Sequence, residues 1–432
     1  MPAHCKAGHP PGGAAPRRCP PLGGICDKVA KFLSKIAAQS AIFLQKKRKK
    51  EKKEKMIYLD NSATTWPKPQ AVVKAALDAI TTYGANPGRS GHSFSLKTAM
   101  KIYETREKLA KFVGAESAEN IIFTSGCTEA LNLAILGTIQ KGGHVVCSVN
   151  DHNSTLRPLS YLADEKIIDL SIAEPKTHRL TLNDIKPLVR PNTYLICVSH
   201  VSNVDGMEAD IDEIGKFCFE NCILLLVDSA QSAGHKKINM LSSHIDMLAM
   251  AGHKGLLGIM GAGALAVSSR VKLQPLKFGG TGTDSEKLTQ PLHLPEGFES
   301  GTLPVPAILA LGAGLEFVEQ NFNQTARKID DLTTYLNYEL SQIKGVKVYT
   351  HPDNANGVLA FNIGDIASNE VAEILDKKFK IMVRSGLHCA PLKHKHLGTL
   401  QQGAVRASLG AFSKFSDVER LVKAVKRLAI NN

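Results

Sequence analysis

The sequence lacks the features of a membrane protein and of a secreted one. No run of 18 or more apolar residues occurs among the 432, so a transmembrane helix is not expected. The N-terminal region has neither the apolar core nor the small-residue cleavage site of a secretory signal. The nine cysteines are odd in number and irregularly spaced. Cys218 and Cys222 are expected on one face of a helix, but they have no second pair with which to bind zinc. We therefore expect a protein without a metal, in a reducing cytoplasm.

Outside its first 55 residues, the chain also lacks a strong charge of either sign. Of the formal net charge of +13, residues 1–55 hold +11, from 14 lysines and arginines against three acidic residues. The remaining 377 residues carry only about +2, so the body of the chain is not expected to bind nucleic acid. Residues 28–44 have the pattern of a short amphipathic helix, and residues 46–53 are a charge run. We expect a disordered extension here; a nucleic-acid-binding tail and a transit peptide are the alternatives.

Internal repeats are absent, and strands alternate with helices instead. Helices are predicted at 70–82 and 95–113 after a short strand at 57–60. Further strands are predicted at 120–124, 144–148, 167–172, 193–199, 222–228 and 246–251, with helices at 128–139, 154–164, 181–189 and 210–220. This alternation predicts an α/β fold with a mostly parallel sheet covered by helices. A long helix at 307–342 leads to a smaller region of mixed elements, whose last helix is expected to begin at a capping box, Ser416 to Glu419.

Polar groups follow five of the predicted strands where each strand ends. One strand ends in Asp228, and another leads to His253 and Lys254. A carboxylate that keeps a pyridine nitrogen protonated, and a lysine that holds an aldehyde as a Schiff base, are what pyridoxal 5'-phosphate (PLP) requires. The glycine turn at 125–129 offers backbone N–H groups to a phosphate. His152 and Asn203 follow two other strands. Because ligands bind at the carboxyl ends of parallel strands, we expect one cofactor site there.

Several segments carry a family resemblance. They are Tyr58-Leu59-Asp60-Asn61-Ser62-Ala63-Thr64-Thr65, Thr124-Ser125-Gly126-Cys127-Thr128-Glu129-Ala130-Leu131-Asn132, Val227-Asp228-Ser229-Ala230-Gln231, Gly252-His253-Lys254 and Phe298-Glu299-Ser300-Gly301-Thr302. The most discriminating is Arg384-Ser385-Gly386-Leu387-His388-Cys389-Ala390, which is similar to an Arg-x-Gly-x-His-Cys-Ala motif. From about residue 56 to 430, the chain resembles the class V aminotransferases of PLP fold type I, and among them the second, SufS-like group of cysteine desulfurases.

The resemblance implies a domain organisation and an oligomeric state. Residues 1–55 would precede the fold, residues 56–72 would form an arm that joins the small domain, and residues 73–315 would form the large PLP-binding domain. Residues 316–432 would form a smaller α+β domain that carries the catalytic cysteine. The site would lie at the interface of a homodimer, with Thr302 reaching the cofactor phosphate of the other protomer.

The resemblance also implies a role for each site residue. Lys254 would hold the cofactor and act as a base, while Asp228 would pair with the pyridinium nitrogen. His152 would stack on the ring as a catalytic group, and Gln231 would reach its hydroxyl oxygen. Cys127, Thr128 and His253 would hold the phosphate. The substrate would be bound by Ala63, Asn203, Arg384 and Arg406. The two arginines suit this role because a guanidinium binds a carboxylate in a bidentate manner.

Cys389 would be the nucleophile in the implied reaction. Its thiolate would take the sulfur of L-cysteine as a persulfide, leaving alanine, and would pass the sulfur to an acceptor protein or thiol, as in iron–sulfur cluster assembly. Ala251 stands where many relatives have Ser or Thr, and Cys127 where many have Thr or Ala. Two alternatives stay open: a selenocysteine lyase or another class V reaction, and a nucleic-acid-binding protein with an inactive enzyme domain.

Overall fold

A seven-stranded sheet organises the larger part of the chain. The computed structural model describes residues 56–88 and 91–430; the helix expected at 28–44 lies outside them. The strands stand in the order β2, β10, β9, β8, β6, β3, β4. Their bounds are β2 Ile121–Thr124, β3 Gly143–Ser148, β4 Ile168–Ala173, β6 Thr193–Ser199, β8 Leu224–Asp228, β9 Met247–Ala251 and β10 Gly263–Val267. Only β10 runs antiparallel to its neighbours in this sheet.

Both faces of this sheet are covered by helices, as its apolar strands require. Successive residues of β6 alternate between two cores: Leu195 and Cys197 pack on one face, Ile196 and Val198 on the other. The helices are α1 Gln70–Thr81, α2 Ser93–Val113, α3 Cys127–Gly137, α4 Asn153–Asp164, α5 Leu182–Ile185, α6 Ile211–Glu220 and α7 Val305–Ser341. Within the described ranges, none of the helices combines the length and apolarity needed to cross a lipid bilayer.

A second sheet follows α7 and is antiparallel throughout. It contains β11 Val346–Val348, β12 Val358–Ile363, β15 Ala404–Ser408 and β14 Arg384–Gly386, in that order. The helices α8 Ser368–Phe379, α9 Pro391–His396 and α10 Phe415–Ile430 accompany it. A buried cluster formed mainly by this region includes Ile57 and Leu59 from the start of the body.

The N-terminal arm therefore packs with the C-terminal region. Its strand β1, Ile57–Tyr58, pairs in parallel with β13, Ile381–Met382. Two further short strands, β5 Arg179–Leu180 and β7 Glu208–Ala209, also pair in parallel. The domain boundaries expected at 72/73 and 315/316 stay a prediction; the second falls within α7.

The α/β prediction is confirmed, and three local predictions are wrong. The last helix begins at Phe415, and the Asp417 carboxylate accepts the Lys414 N–H at 3.1 Å, so the expected box starting at Ser416 is not the cap. The helix expected over 181–189 divides into α5 and a 3₁₀ turn at Lys186–Leu188, because Pro187 cannot donate the next helical bond. Cys222 lies beyond α6 with a φ of +56°, so it shares no helical face with Cys218.

Candidate active site

Five strand ends meet at one cavity, as the strand pattern predicted. The cavity measures about 250 Å³ and lies at the carboxyl edge of β2, β3, β6, β8 and β9. Eight predicted site residues line it: Cys127, Thr128, His152, Asn203, Asp228, Gln231, His253 and Lys254. Parallel strands bring these residues together because each strand delivers its following loop to the same edge.

Lys254 and Asp228 form the electrostatic centre of the cavity. Burial lowers the pKa of the Lys254 ammonium, and the nearby Asp228 carboxylate opposes that shift. An amine in this setting can lose its proton more readily than an exposed lysine, as a Schiff-base lysine must.

The backbone at Lys254 is held by the N-terminal arm, which the sequence did not reveal. Thr65 Oγ1 donates to the Lys254 carbonyl at 3.0 Å. The preceding carbonyl, that of His253, accepts from Thr64 Oγ1 at 3.1 Å and from Lys68 Nζ at 2.8 Å. These bonds fix the base of the Lys254 side chain, although the partners lie about 190 residues earlier in the chain.

Asp228 accepts two hydrogen bonds at one carboxylate oxygen. Its Oδ1 accepts the Ala230 N–H at 2.8 Å and the Cys127 thiol at 3.4 Å. Burial and the Asp228 charge raise the pKa of Cys127 well above its ordinary value. Cys127 is therefore a neutral thiol that donates to the carboxylate, and it is not placed to act as a nucleophile.

His152 lines the cavity in a defined tautomer. It caps α4, and its Nδ1 accepts the Ser154 N–H at 3.1 Å. Burial lowers the pKa of His152 to about 4, so the ring is neutral at pH 7 and carries its proton on Nε2. Ser154 Oγ lies 2.9 Å from His152 Nδ1 and 2.8 Å from Thr128 Oγ1, which links two predicted site residues.

An aspartate beside this histidine locks two of the strand ends together. Asp151 is fully buried; its Oδ2 accepts the Ser148 N–H at 2.6 Å and its Oδ1 the Ser199 N–H at 2.6 Å. Ser148 ends β3 and Ser199 ends β6. Burial raises the pKa of Asp151 to about 7 despite these bonds. Asp151 thus links the ends of β3 and β6 beside the cavity, a role the sequence did not indicate.

The cavity offers donors suited to a phosphorylated pyridine. Helix α3 begins at Cys127 after Gly126, and the first N–H groups of a helix have no partner within it. His253 Nδ1 and Asn203 Oδ1 are buried without a partner among the described residues. Burial lowers the pKa of His253 to about 4, so it is a neutral imidazole. An anionic group at the helix start, with a ring between His152 and Asp228, fits these polar groups, among which Asn203 Oδ1 and Asp228 are acceptors. Ala251 lines the cavity without offering a hydroxyl.

Arg406 is buried beside Asn203, a residue that lines the cavity. It is 1 % exposed; its Nη1 donates to the Asn203 carbonyl at 3.0 Å and its Nη2 to Asp60 Oδ1 at 2.8 Å. Its Nε is buried without a partner in the described part of the chain. Burial lowers the pKa of Arg406, and Asp60 opposes this effect. The guanidinium is therefore held in place, and its Nε–H is a buried donor without a partner among the described residues.

Cys389 lies in an exposed loop that is fastened to the cavity rim. Its carbonyl accepts the Asn153 N–H at 2.7 Å, next to His152, and the His388 carbonyl accepts from Asn203 Nδ2 at 2.7 Å. Arg384 Nη2 approaches Cys389 Sγ at 3.9 Å. The Cys389 thiol is therefore open to solvent and has a guanidinium beside it.

Five predicted residues do not line the cavity itself: Ala63, Thr302, Arg384, Cys389 and Arg406. The Ala63 N–H bonds to the Asp60 carbonyl at 3.1 Å, and Thr302 is exposed just before α7. Gln231 lies at the cavity, with Nε2 donating to the Ser62 carbonyl at 3.2 Å. The roles assigned to all these residues stay predictions.

This combination of fold and cavity is shared with a known protein family. The chain belongs to the aminotransferase class-V family, whose model matches residues 57–421. It is 34% identical over 380 residues to a probable cysteine desulfurase of Methanothermobacter thermautotrophicus, an alignment that covers 86% of this chain and 94% of that protein. It is 35% identical over 392 residues to a probable cysteine desulfurase of Pyrococcus abyssi, which covers 87% and 94%.

Solved structures agree with these relatives. The apo structure of a cysteine desulfurase from Thermococcus onnurineus superposes with a TM-score of 0.81 at 33% identity, covering 87% of this chain and 95% of that one. The Escherichia coli cysteine desulfurase CsdA, in an S-sulfonic acid form, gives a TM-score of 0.78 at 27% identity, with the same coverage. The expected PLP fold type I is confirmed.

Proposed function

We propose that the protein is a PLP-dependent cysteine desulfurase that converts L-cysteine to L-alanine and takes the sulfur onto Cys389. The observation that carries the proposal is the junction at Asn203. This residue lines the cavity of Lys254 and Asp228, and its side chain holds the carbonyl next to Cys389 at 2.7 Å. Asn203 thus links the cavity, which suits a cofactor that reacts with amino acids, to the loop of an exposed thiol beside an arginine. The desulfurase relatives support the same reaction.

The cofactor would be held by groups already placed around the cavity. The start of α3 with Thr128 and His253 would bind its phosphate, His152 would cover its ring, and Asp228 would accept a hydrogen bond from its pyridine nitrogen and keep that nitrogen protonated. Lys254 would hold it covalently. When bound, PLP supplies an electron sink for the bonds of the substrate carbon atoms.

The substrate carboxylate would be bound by arginine. Arg406 is fixed by Asp60 and by the Asn203 carbonyl, and its buried Nε has no partner in the described chain. Arg384, directly opposite in the sheet, adds a second positive charge. Together they would orient L-cysteine with its thiol toward Cys389, as bidentate recognition of a carboxylate requires.

Cys389 would act as the nucleophile. Its thiolate attacks the substrate sulfur, a bond forms between the two sulfur atoms, and the bond between the substrate sulfur and its β-carbon breaks. That electron pair stays with the substrate carbon, which gains a proton, so L-cysteine and one thiol give L-alanine and one persulfide without an external oxidant. Lys254 Nζ, whose pKa is lowered by burial, would carry protons to and from the substrate.

The proposal extends to the partners. The functional unit would be a homodimer, because Thr302 and the loop at 279–283 are exposed on this chain. Leu96, Met100 and Thr281 line a separate cavity of about 550 Å³ that a second copy would close. The sulfur acceptor would be a protein or a small thiol, and the location the cytoplasm. Sedimentation showing a fully active monomer would contradict the dimer.

The test is to incubate the purified protein with L-cysteine and a reducing thiol and to measure sulfide and alanine together. The proposal predicts equal amounts of both. Pyruvate and ammonia in place of alanine would contradict it. Parallel assays with L-selenocysteine, in the wild type and in Cys389→Ser, separate a desulfurase from a selenocysteine lyase. A lyase that does not need the thiol would keep its activity toward selenocysteine in Cys389→Ser.

A further inference from the structure

The backbone that carries Cys389 has an unusual conformation. His388 and Cys389 have φ values of +49° and +57°, and Gly386 has a φ of +97°. The left-handed region is unfavourable for residues that bear a side chain, and two in succession are rarer still. Such a conformation persists only where surrounding contacts impose it. The contacts that impose it here therefore control where the Cys389 thiol lies.

Two hydrogen bonds hold the backbone carbonyls of this loop. Asn203 Nδ2 donates to the His388 carbonyl and the Asn153 N–H donates to the Cys389 carbonyl, each at 2.7 Å. They fasten the loop to the cavity rim, but they leave the His388 side chain to be fixed by other groups.

The His388 ring is fixed by a buried chain of three side chains. His388 Nδ1 lies 3.2 Å from His394 Nε2, with the two rings stacked at 5.3 Å, and His394 Nδ1 lies 2.8 Å from Thr399 Oγ1. All three residues are at most 2 % exposed. Burial lowers the pKa of His388 to about 2 and of His394 to about 4, so both rings are neutral and each has one donor and one acceptor nitrogen. Thr399 Oγ1 donates to the His394 carbonyl at 3.4 Å, so it accepts from His394 Nδ1, and His394 Nε2 in turn accepts from His388 Nδ1.

The far end of this chain is itself anchored. The Thr399 N–H donates to the His394 carbonyl at 2.8 Å. Lys393, next to His394 on α9, forms a buried ion pair with Asp205 at 2.8 Å. Asp205 belongs to the same loop as Asn203, so one segment after β6 holds both the Cys389 loop and the helix behind it.

We propose that His394 and Thr399 are positioning residues for Cys389: by fixing the His388 ring, they maintain the left-handed backbone that keeps the Cys389 thiol beside Arg384 at the mouth of the cavity. The inference rests on the proposed role of Cys389 as the sulfur-accepting thiol. Neither residue touches the cavity, so neither acts on substrate directly.

The test compares Thr399→Val, which removes only the hydroxyl, with Thr399→Ser, which retains it, in the holoenzyme. Thr138→Val, in which a buried hydroxyl that donates to the Ala134 carbonyl at 2.6 Å is lost far from the loop, controls for general destabilisation. A first readout is the steady-state rate of alanine formation. A second, independent of turnover, is the rate of iodoacetamide alkylation of Cys389, followed by peptide mass. Cys222, also exposed and left-handed with a φ of +56°, is the internal reference.

Thr399→Val is expected to lower kcat about tenfold with KM for L-cysteine little changed. It should also slow alkylation of Cys389 about threefold or more relative to Cys222, because the thiol leaves its place beside Arg384. Thr399→Ser should restore both, and Thr138→Val should change neither. His394→Phe, which keeps a stacked ring without its nitrogens, should match Thr399→Val.

Two results would overturn the inference: a wild-type kcat and alkylation rate in Thr399→Val, or equal impairment in Thr399→Ser. Absence of alanine from the wild type would instead overturn the proposed function. The alkylation comparison would still report on the loop in that case, so the two failures are distinguishable.

Discussion

Arg384 of β14 and Arg406 of β15 are direct partners across two antiparallel strands. Side chains at such positions share one face of the sheet, and two like charges there are destabilising. Asp60 offsets the charge of Arg406 through a bond of 2.8 Å, and Arg384 lies 3.9 Å from the Cys389 sulfur. The pair therefore keeps an excess of positive charge near the Cys389 thiol, which suits the proposed binding of a substrate carboxylate.

Replacing Arg406 by lysine should weaken substrate binding. The change removes the planar fork that serves Asp60 and the Asn203 carbonyl, and a hydrogen bond to a charged group is worth about 1.5–3 kcal/mol. KM for L-cysteine should therefore rise about 10- to 150-fold. Arg190→Lys, at an exposed ion pair with Asp169, is the matched control. An unchanged KM in a folded Arg406→Lys protein would remove Arg406 from the substrate site.

Replacing Lys254 by alanine should abolish the visible absorption of the purified protein. A Schiff base between an enzyme lysine and the cofactor aldehyde is coloured, and Lys254 is the lysine that lines the cavity. Lys237→Ala, at an exposed lysine nearby in sequence, should keep the band. An absorption band that is unaltered in Lys254→Ala would show that Lys254 is not the lysine that holds the cofactor.

Acid should destabilise the protein between about pH 6.5 and pH 4. Burial lowers the pKa of four histidines in or near the site, His152, His200, His253 and His394, to about 4. The unfolded chain then binds more protons than the folded one in this range, so stability falls as pH falls. Asp151, with its pKa raised to about 7, works in the opposite sense, since it favours the folded state at lower pH.

Four histidines oppose one aspartate, so the net stability should fall as the pH falls. The free energy of unfolding in urea should drop by at least about 2 kcal/mol between pH 7.5 and pH 5. His200→Asn should make this dependence shallower, because it removes one of the histidines whose pKa is lowered by burial. A stability that rises toward pH 5 would contradict the sign.

A protein that begins at Met56 should fold, bind PLP and desulfurate cysteine at a similar rate. Residues 1–55 hold +11 of the +13 charge and none of the matched motifs. The assay is turnover and cofactor content of the truncated protein beside the full chain. Loss of PLP or precipitation on truncation would make the extension structural.

The sequence predicted the site best where the information is local. An apolar run that ends in Asp228, and a glycine turn before α3, identify strand ends without any knowledge of the fold. Strand β10 was missed because Gly263–Val267 is only five residues long and contains one glycine and two alanines, residue types that are depleted in strands.

The supporting contacts were missed for a different reason. Asp60 and Arg406 are 346 positions apart, and Thr65 and Lys254 are 189 apart. The chain of His388, His394 and Thr399 is close in sequence, but α9 had to be placed before two histidines could be seen to stack. Residue type alone does not reveal such pairs, because their chemistry depends on burial.

The most direct test of the central claim is a single turnover of the full-length protein with L-cysteine in the absence of reducing thiol. The peptide that carries Cys389 should gain one sulfur atom, and one alanine should form for each sulfur gained. Cys222→Ser should behave like the wild type, and Cys389→Ser should bind PLP yet form neither product. A sulfur gained on another cysteine, or alanine formed at the wild-type rate by Cys389→Ser, would contradict the account.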